Sequence, residues 1–467
     1  MSLQLLATLV RKYIWYCRIY GFKSATRLAI RRVKRATIAP KLVPVPLPDF
    51  RISSVEESVP LIDKKISVII PTRNAGKEFP LLLRKFKAQK GIRECEIIIV
   101  DSGSGDETIR FGKKEGATVV EIPPETFNHG LSRNKGAEYA SGDFLLFTVQ
   151  DALPMTEQWL WEMANALVKS DAVAVSCAEF PRSDCDLFYR LLMWNHYRHL
   201  QLDNDRFLAW DNSCASDLGL RSNSGLSDLA ALIREDVFRK YKYYEGFAED
   251  IELGKRLIKD GHRMAFLYST RVLHSHNRPA YYYLKRGYVD ARFRAEVFPG
   301  SYITIDSENA LIEDIAALCR RTNWVAHTIS RLKSPQLVSS LIDRIRALYL
   351  QDSEHWILEE SMPEDARLDE LFIALMETRK IPAPQYNVKR NMLLPHLLAH
   401  VAQLETYLSG VYESVDANLI AEVASALRKM LALHAGNHMG SRYATVLASG
   451  RHDASLAELD KMLQAGV

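Results

Sequence analysis

Short apolar segments alternate with helical stretches between Lys65 and Val149, and this alternation constrains the fold of the 467-residue chain more than any other feature. Ile66 to Ile70 is apolar except for Ser67. Glu96 to Val100, Thr118 to Ile122 and Phe144 to Val149 follow, and a helical pattern through Leu81, Leu82, Leu83 and Phe86 separates the first two. Strands that read as near-continuous hydrophobic runs are buried on both faces, so the expectation is a parallel sheet with helices on each side. Ala265 to Leu273 predicts one more strand. After about Asp306 the strands stop. LIEDIAALCRR, PQLVSSLIDRIRALYL and DANLIAEVASALRKMLALHA carry helical periodicity and predict a separate all-α domain.

The start of the chain has a different character. Met1 to Lys41 contains no Asp or Glu, while Arg11, Lys12, Arg18, Lys23, Arg27, Arg31, Arg32, Lys34, Arg35 and Lys41 are basic. Leu5, Leu6, Leu9, Tyr13, Tyr16 and Ile19 recur at helical spacing, and Trp15, Tyr20 and Phe22 interleave with the cations. The pattern predicts a helix lying on an anionic membrane surface, with packing on the next domain as the plainer reading. Pro40, Pro44, Pro46 and Pro48 then impose an extended linker. The expected organisation is a basic helical segment and linker over 1–62, an α/β domain over 63–305 and a helical domain over 306–467.

Composition excludes several classes. A net charge of +4 is too small to indicate a nucleic-acid partner. Cys17, Cys95, Cys177, Cys185, Cys214 and Cys319 are scattered with no C-x-x-C pair, which argues against a disulfide framework or a zinc site and fits a reducing compartment. No apolar run reaches the ~18 residues of a membrane-spanning helix. Leu3 to Val10 is not followed by a small-residue cleavage site, so the expected location is the cytoplasm.

Open α/β sheets bind ligands outside the carboxyl ends of their strands. Four segments put polar groups there. Pro71-Thr72-Arg73-Asn74 and Asp101-Ser102 follow the first two strands; an Asp in that place accepts the imide N–H of uracil or thymine while Asn74 holds ribose, or else it is a turn residue. Asp151, after Gln150, supplies a carboxylate for Mg²⁺ or Mn²⁺ against a diphosphate. Glu249-Asp250 opens a helix, where the dipole favours the charged carboxylate and one of the pair can take a proton from a hydroxyl. His274 and His276 follow a strand, and strand period directs both to one face.

Together these segments resemble a known family. Ile66 to about Gly300 is similar to the family 2 glycosyltransferases of GT-A fold. Within it, FNHGLSRNKGA, TVQDALP and FAEDIELGKRL followed by VLHSHN are most similar to bacterial rhamnosyltransferases. The PTRN and VDSGSGDET segments resemble the family's nucleotide-binding start. The resemblance implies a Rossmann-like mixed sheet with helices on both faces, followed here by the all-α domain, and inversion at the anomeric carbon by one in-line displacement. Asp250 matches the base, with Glu249 as its supporting neighbour. Asp151 matches the second acid of the D-x-D motif and binds metal; the first acid is Val149 here, so His274 or His276 must help.

Pro71, Thr72, Arg73, Asn74, Asp101, Ser102 and Gln150 fall on the nucleotide side. His129, Gly130 and Arg133 stabilise the diphosphate or orient the nucleotide, and Asn223 falls where relatives line the donor-sugar pocket. The favoured donor is dTDP-L-rhamnose, with a UDP-hexose as the alternative. The acceptor is a glycan or lipid-linked glycan at the inner membrane surface, and an oligomer through the helical domain is compatible with this reading. A non-catalytic scaffold is disfavoured because Asp250 and Asp151 are both present.

Overall fold

A computed structural model of the chain describes residues 59–298, 307–351, 366–382, 386–450 and 454–464. The basic helix and Pro-rich linker expected over 1–58 lie outside the described residues. The described residues form two compact units, one holding 59–185 and Leu192–His276, the other Asp186–Leu191 and the described residues from Asn277 onward.

The first unit is built on a nine-stranded sheet of β1 (Ile62–Thr72), β2 (Ile92–Asp101), β3 (Thr118–Glu121), β4 (Phe144–Thr148), β5 (Leu153–Pro154), β6 (Ala172–Phe180), β7 (Arg206–Leu208), β8 (Ala230–Arg234) and β9 (Arg263–Leu273). Its order is β3-β2-β1-β4-β8-β6-β9-β5, with β7 paired to β9. β1 is parallel to β2 and β4, β2 to β3, and β6 to β9. β8, however, runs antiparallel to both β4 and β6. The parallel reading thus holds for β1 to β4, and the sheet as a whole is the mixed one that the resemblance implies. Ala230 to Ile233 are wholly buried, and a continuous apolar run carries no information about strand direction.

Side-chain alternation divides the core between two faces. Val68, Ile70, Ile97, Ile99 and Leu146 pack on one side with Phe79, Leu83 and Phe86 from the helix Phe79–Lys87 and with Trp159 and Leu160 from Trp159–Val168. Ile69, Ile98, Leu145 and Phe147 turn to the other side, against Ala137, Phe238, Leu253 and Leu257 from the helices His129–Ala137, Glu235–Tyr241 and Glu249–Lys259. Each such side chain contributes roughly 1.5–3 kcal/mol when fully buried. A one-residue register slip would exchange the two faces, so the double core pins the strand ends that carry the polar residues.

The second unit is helical. Its longest element, Ala417–Ala448, lies along Ala280–Val297 at backbone contact, because glycines face each other there. A Cβ on Gly436 would strike the carbonyl of Leu284, on Gly440 that of Tyr288, and on Gly287 that of Leu433. Ala280–Val297 belongs with the helices, and that unit resumes at Asn277. Glu308–Ser330, Val338–Leu350, Ala366–Thr378, Leu394–Val411 and Ala454–Gln464 are its other helices, and Gln336–Leu337 pairs antiparallel with Ser414–Val415. Among the described residues no helix is long and apolar enough to cross a membrane.

Candidate active site

Strand register gathers Asp151, His274 and His276. After β4 the chain turns at Asp151 and runs back as β5, pairing Leu153 with Leu273 and Pro154 with Val272 in antiparallel register. Extending that register by two residues sets Asp151 beside the segment just past β9, between its two histidines. The His274 N–H donates to the carbonyl of Phe180 at 3.0 Å, prolonging the β6–β9 pairing. His276 Nε2 lies 3.5 Å and His274 Nε2 3.7 Å from the carboxylate of Asp151, and the two Nε2 atoms are 3.2 Å apart.

One carboxylate and two imidazoles, their ligand atoms all within 4.8 Å of one another, fit a divalent cation. Glu179, near the end of β6, supports the fit. Its Oε2 lies 3.7 Å from His274 Nδ1, which leaves Nε2 facing Asp151. A carboxylate behind an imidazole fixes the ring and raises its basicity. Burial pulls the His274 pKa down, but the facing Glu179, together with Asp151 and Asp228, more than offsets that and leaves it raised. Arg182 Nη2 donates to the carbonyl of Asp151 at 3.2 Å and secures the turn.

The Glu249-Asp250 pair opens the helix Glu249–Lys259. Ala248 before it is in the left-handed region at φ 60° and ψ 40°, a conformation that costs a non-glycine residue on the order of 1–3 kcal/mol and that concentrates at functional sites. The strain aims the two acids differently. Glu249 is buried and accepts from Arg133 Nη1 at 2.6 Å, while the guanidinium also donates to the carbonyls of His129 (3.2 Å) and Asp228 (3.3 Å). Asp250 is half-buried and accepts from the N–H groups of Ile251 (2.7 Å) and Asp228 (3.1 Å).

The Asp250 carboxyl is pushed up to about 7, first by burial and then by the charges of Asp228 and Glu249. The expectation that the helix dipole keeps it ionised is therefore corrected. A dipole worth at most ~2 kcal/mol is outweighed by desolvation next to two like charges. A carboxyl near 7 suits a group that must both take and release a proton at neutral pH.

The helix His129–Ala137 is locked to the chain leading into Glu249. Asn128 caps it by accepting from Leu131 N at 3.0 Å. The Asn134 side chain donates to the carbonyl of Tyr243 (2.8 Å) and accepts from its N–H (3.0 Å). Gly130 permits this approach, since a Cβ there would strike the carbonyl of Tyr244. Arg133 is only 1% exposed. Its guanidinium is thus turned into the protein, where it forms a buried ion pair with Glu249. His129 packs its ring edge-on to Phe127 with centroids 4.9 Å apart.

On the nucleotide side the loops are tied to one another. Gln150 accepts from Arg73 N (2.9 Å) and donates to Arg73 O (3.2 Å), fixing the ends of β1 and β4 together. Asn74, at φ 48°, accepts from Gly105 N at 2.8 Å. Ser102 Oγ donates to the carbonyl of Thr72 at 3.1 Å, directly after Pro71 in β1. Asp101 is fully buried, and each of its oxygens accepts twice, from Thr72 Oγ1 and Ser104 Oγ on one side and from Gly103 N and Ser104 N on the other. Of its two readings, these contacts describe the turn residue, and its expected base contact is corrected accordingly. Asn223 is 1% exposed and engaged by Arg206 (2.9 Å) and Ser213 (3.0 Å), which corrects its expected place on a sugar pocket.

Two carboxylates escaped the sequence reading. Glu179 ends a strand that periodicity did not single out, and Asp228 stands before β8 without a motif. The Asp228 charge raises the pKa of both the Asp250 carboxyl and the His274 imidazole.

Residues 67–225 match the family model described as "Glycosyl transferase family 2". The chain is 27% identical over 216 residues to the O-antigen chain rhamnosyltransferase WbaN of Salmonella anatum, across 45% of this chain and 66% of that one. It is 27% identical over 218 residues to the O-antigen chain rhamnosyltransferase RfbN of Salmonella typhimurium, across 46% and 67%. The matched part thus spans about two thirds of these relatives' length. Among solved structures, the mannosyltransferase PcManGT of Pyrobaculum calidifontis, in complex with GDP-Man and Mn²⁺, superposes with a TM-score of 0.41 at 16% identity, over 82% of this chain and 94% of that one. Residues 67–225 are thus similar to glycosyl transferase family 2.

Proposed function

We propose that the chain is an inverting glycosyltransferase that moves a sugar from a nucleotide-sugar donor, L-rhamnose from dTDP-L-rhamnose in the favoured reading, onto a bacterial surface glycan or its lipid-linked precursor. The observation that carries it is the convergence of Asp151, His274 and His276 at the carboxyl ends of the strands. Two O-antigen rhamnosyltransferases among the relatives favour rhamnose.

Asp151, His274 and His276 would hold Mg²⁺ or Mn²⁺, and Glu179 fixes the His274 ring toward it. When bound, the cation neutralises charge on the departing diphosphate. Gln150 and Asn74 hold the strand-end loops together as the nucleotide's floor. His129 and Gly130 open a helix whose N-terminus favours an anion. Asp250 accepts the proton of the acceptor hydroxyl as its oxygen attacks the anomeric carbon, and Glu249, held by Arg133, keeps the helix end in place.

A melting-temperature panel of dTDP-L-rhamnose and UDP-hexoses, each with and without Mn²⁺ or Mg²⁺, tests donor and ion together. The expected result is a rise with dTDP-L-rhamnose that requires the cation and disappears in Asp151→Ala, because loss of a charged ligand weakens metal and nucleotide together. A larger rise with a UDP-hexose would reassign the donor. No rise with any donor would sink the transferase reading.

Residues 1–41 are proposed to hold the enzyme on the anionic inner membrane surface. Ten cations without an acid support it, each surface-proximal cation contributing about 1 kcal/mol, screened by salt. Liposome flotation should lose most of its bound fraction when the chain starts at Val43 or when salt is raised. Equal binding by the full and shortened chains would refute the assignment.

A further inference from the structure

The helical unit contains a second cluster of nitrogen donors that the transfer reaction does not use. The helix Leu394–Val411 carries His396 and His400 one turn apart, and Ala417–Ala448 carries His434 and His438 with the same spacing. Residues four apart share a helix face, so each helix offers the other a pair of imidazoles. The four rings nest. Centroids of His434 and His438 are 4.5 Å apart, His396 lies 5.2 Å from His434 and 5.4 Å from His438, and His400 lies 5.5 Å from His434. One ligand nitrogen from each of His396, His434 and His438 falls in a group whose members are all within 4.8 Å of one another.

The plainer account is a packed imidazole pair. His434 and His438 bring their Nε2 atoms to 3.0 Å, where one proton can be shared. That bond does not explain the rest of the cluster. His438 is 2% exposed and His434 9% exposed, and the remaining nitrogen of His438, Nδ1, is buried with no hydrogen-bond partner. Nor does a pair account for the third ring turned onto both. Three imidazoles around one point do. Nitrogen ligands at roughly 2.0–2.1 Å from a tetrahedral ion stand about 3.3 Å from each other; here the His434 and His438 Nε2 atoms are 3.0 Å apart and all three ligand nitrogens lie within 4.8 Å of one another. His396 is exposed, so the site opens to solvent and an ion can enter.

The glycines of the same helix set this face apart. Gly436 and Gly440 are turned to Ala280–Val297, which leaves His434 and His438 for Leu394–Val411. A metal here would join two helices that the chain already links through the short turn 412–416.

We propose that His396, His434 and His438, with His400 packed behind His434, form a transition-metal site of the Zn²⁺ class that clamps the helices Leu394–Val411 and Ala417–Ala448. The donor set is all imidazole. That selects Zn²⁺ and its neighbours over Mg²⁺ or Ca²⁺, which prefer oxygen. The scattered cysteines gave no hint of it, whereas the repeated H-x-x-x-H spacing, HLLAH and HAGNH, was legible in the sequence and is specific only when two such helices face each other.

The test uses the full chain with Asp151→Ala and His276→Gln, so that the other cluster is crippled, stripped with chelator and titrated with Zn²⁺ by calorimetry and with Co²⁺ by visible absorption. The expected result is one tight equivalent, a tetrahedral Co²⁺ spectrum, and a melting midpoint raised by roughly 5 °C at free Zn²⁺ a hundredfold above its Kd. His396→Gln, at an exposed position where folding is not in question, should weaken binding by roughly 10-fold or more. His434→Gln should abolish it. Tight binding undiminished by His396→Gln, or no tight equivalent in the parent, would overturn the assignment. Because both readouts are made in a chain without Asp151, failure here leaves the transferase reading untouched.

Discussion

Replacing Asp250 by Asn is expected to slow sugar transfer by roughly 10²- to 10⁴-fold, on the order of 3–5 kcal/mol in the barrier, while donor and metal still bind. A hydroxyl is not deprotonated at neutral pH, so the acceptor oxygen needs a proton acceptor within reach as its bond to the sugar forms. Asn keeps the shape of the side chain and one acceptor for the Ile251 or Asp228 N–H, but it cannot take the proton. Steady-state kinetics on Asp250→Asn and Glu249→Gln decide the assignment. Near-normal turnover in the first with collapse in the second would move the role to Glu249.

The pH profile gives an independent reading of the same residue. With its carboxyl near 7, Asp250 is protonated and inactive as a base below that value and ionised above it, so kcat/KM should fall as pH drops through about 7. Asp228→Asn removes one of the negative neighbours that raise the carboxyl, and the acid limb should then move to lower pH. A limb that stays in place would assign it to another group.

Much of the site was readable because strand ends are. Asp151, Glu249, Asp250, His274 and His276 all border elements whose pattern is plain, and a carboxyl strand end in an α/β sheet is where ligands go. The partner of each was not readable. Arg133 meets Glu249 across 116 residues of sequence, and no spacing announces that the helices His129–Ala137 and Glu249–Lys259 pack on the same face of the sheet. Asn223 was placed on the sugar pocket by the resemblance alone; the fold turns it inward to Arg206. The mixed direction of the sheet came from the resemblance and not from the residues of β8, whose wholly buried apolar run reads the same either way. The Asp250 carboxyl shows the limit most clearly: a helix N-terminus is visible in sequence, whereas burial and the charge of Asp228 appear only after folding.

The Arg133–Glu249 pair is where stability and mechanism meet, and Arg133→Ala should destabilise the chain by about 3–5 kcal/mol. Arg133 is 1% exposed, its partner is buried, and the salt bridge is 2.6 Å long. Removing the guanidinium strands a carboxylate in the interior and deprives the carbonyls of His129 and Asp228 of a donor. Denaturant unfolding measures the loss, and a change below about 1 kcal/mol would show that the pair is not buried in solution as it is here. The double change Arg133→Met and Glu249→Leu separates the two roles. Apolar replacement of both partners is often neutral for stability because no lone charge remains. If the pair serves only the fold, the double variant recovers both stability and transfer. If it holds the helix end that carries Asp250, stability returns while kcat stays depressed and donor affinity is unchanged. The second outcome is expected, because Ala248 in its left-handed conformation leaves the helix start no cap of its own, and the Arg133 contact with Glu249 is what fixes the residue next to the base.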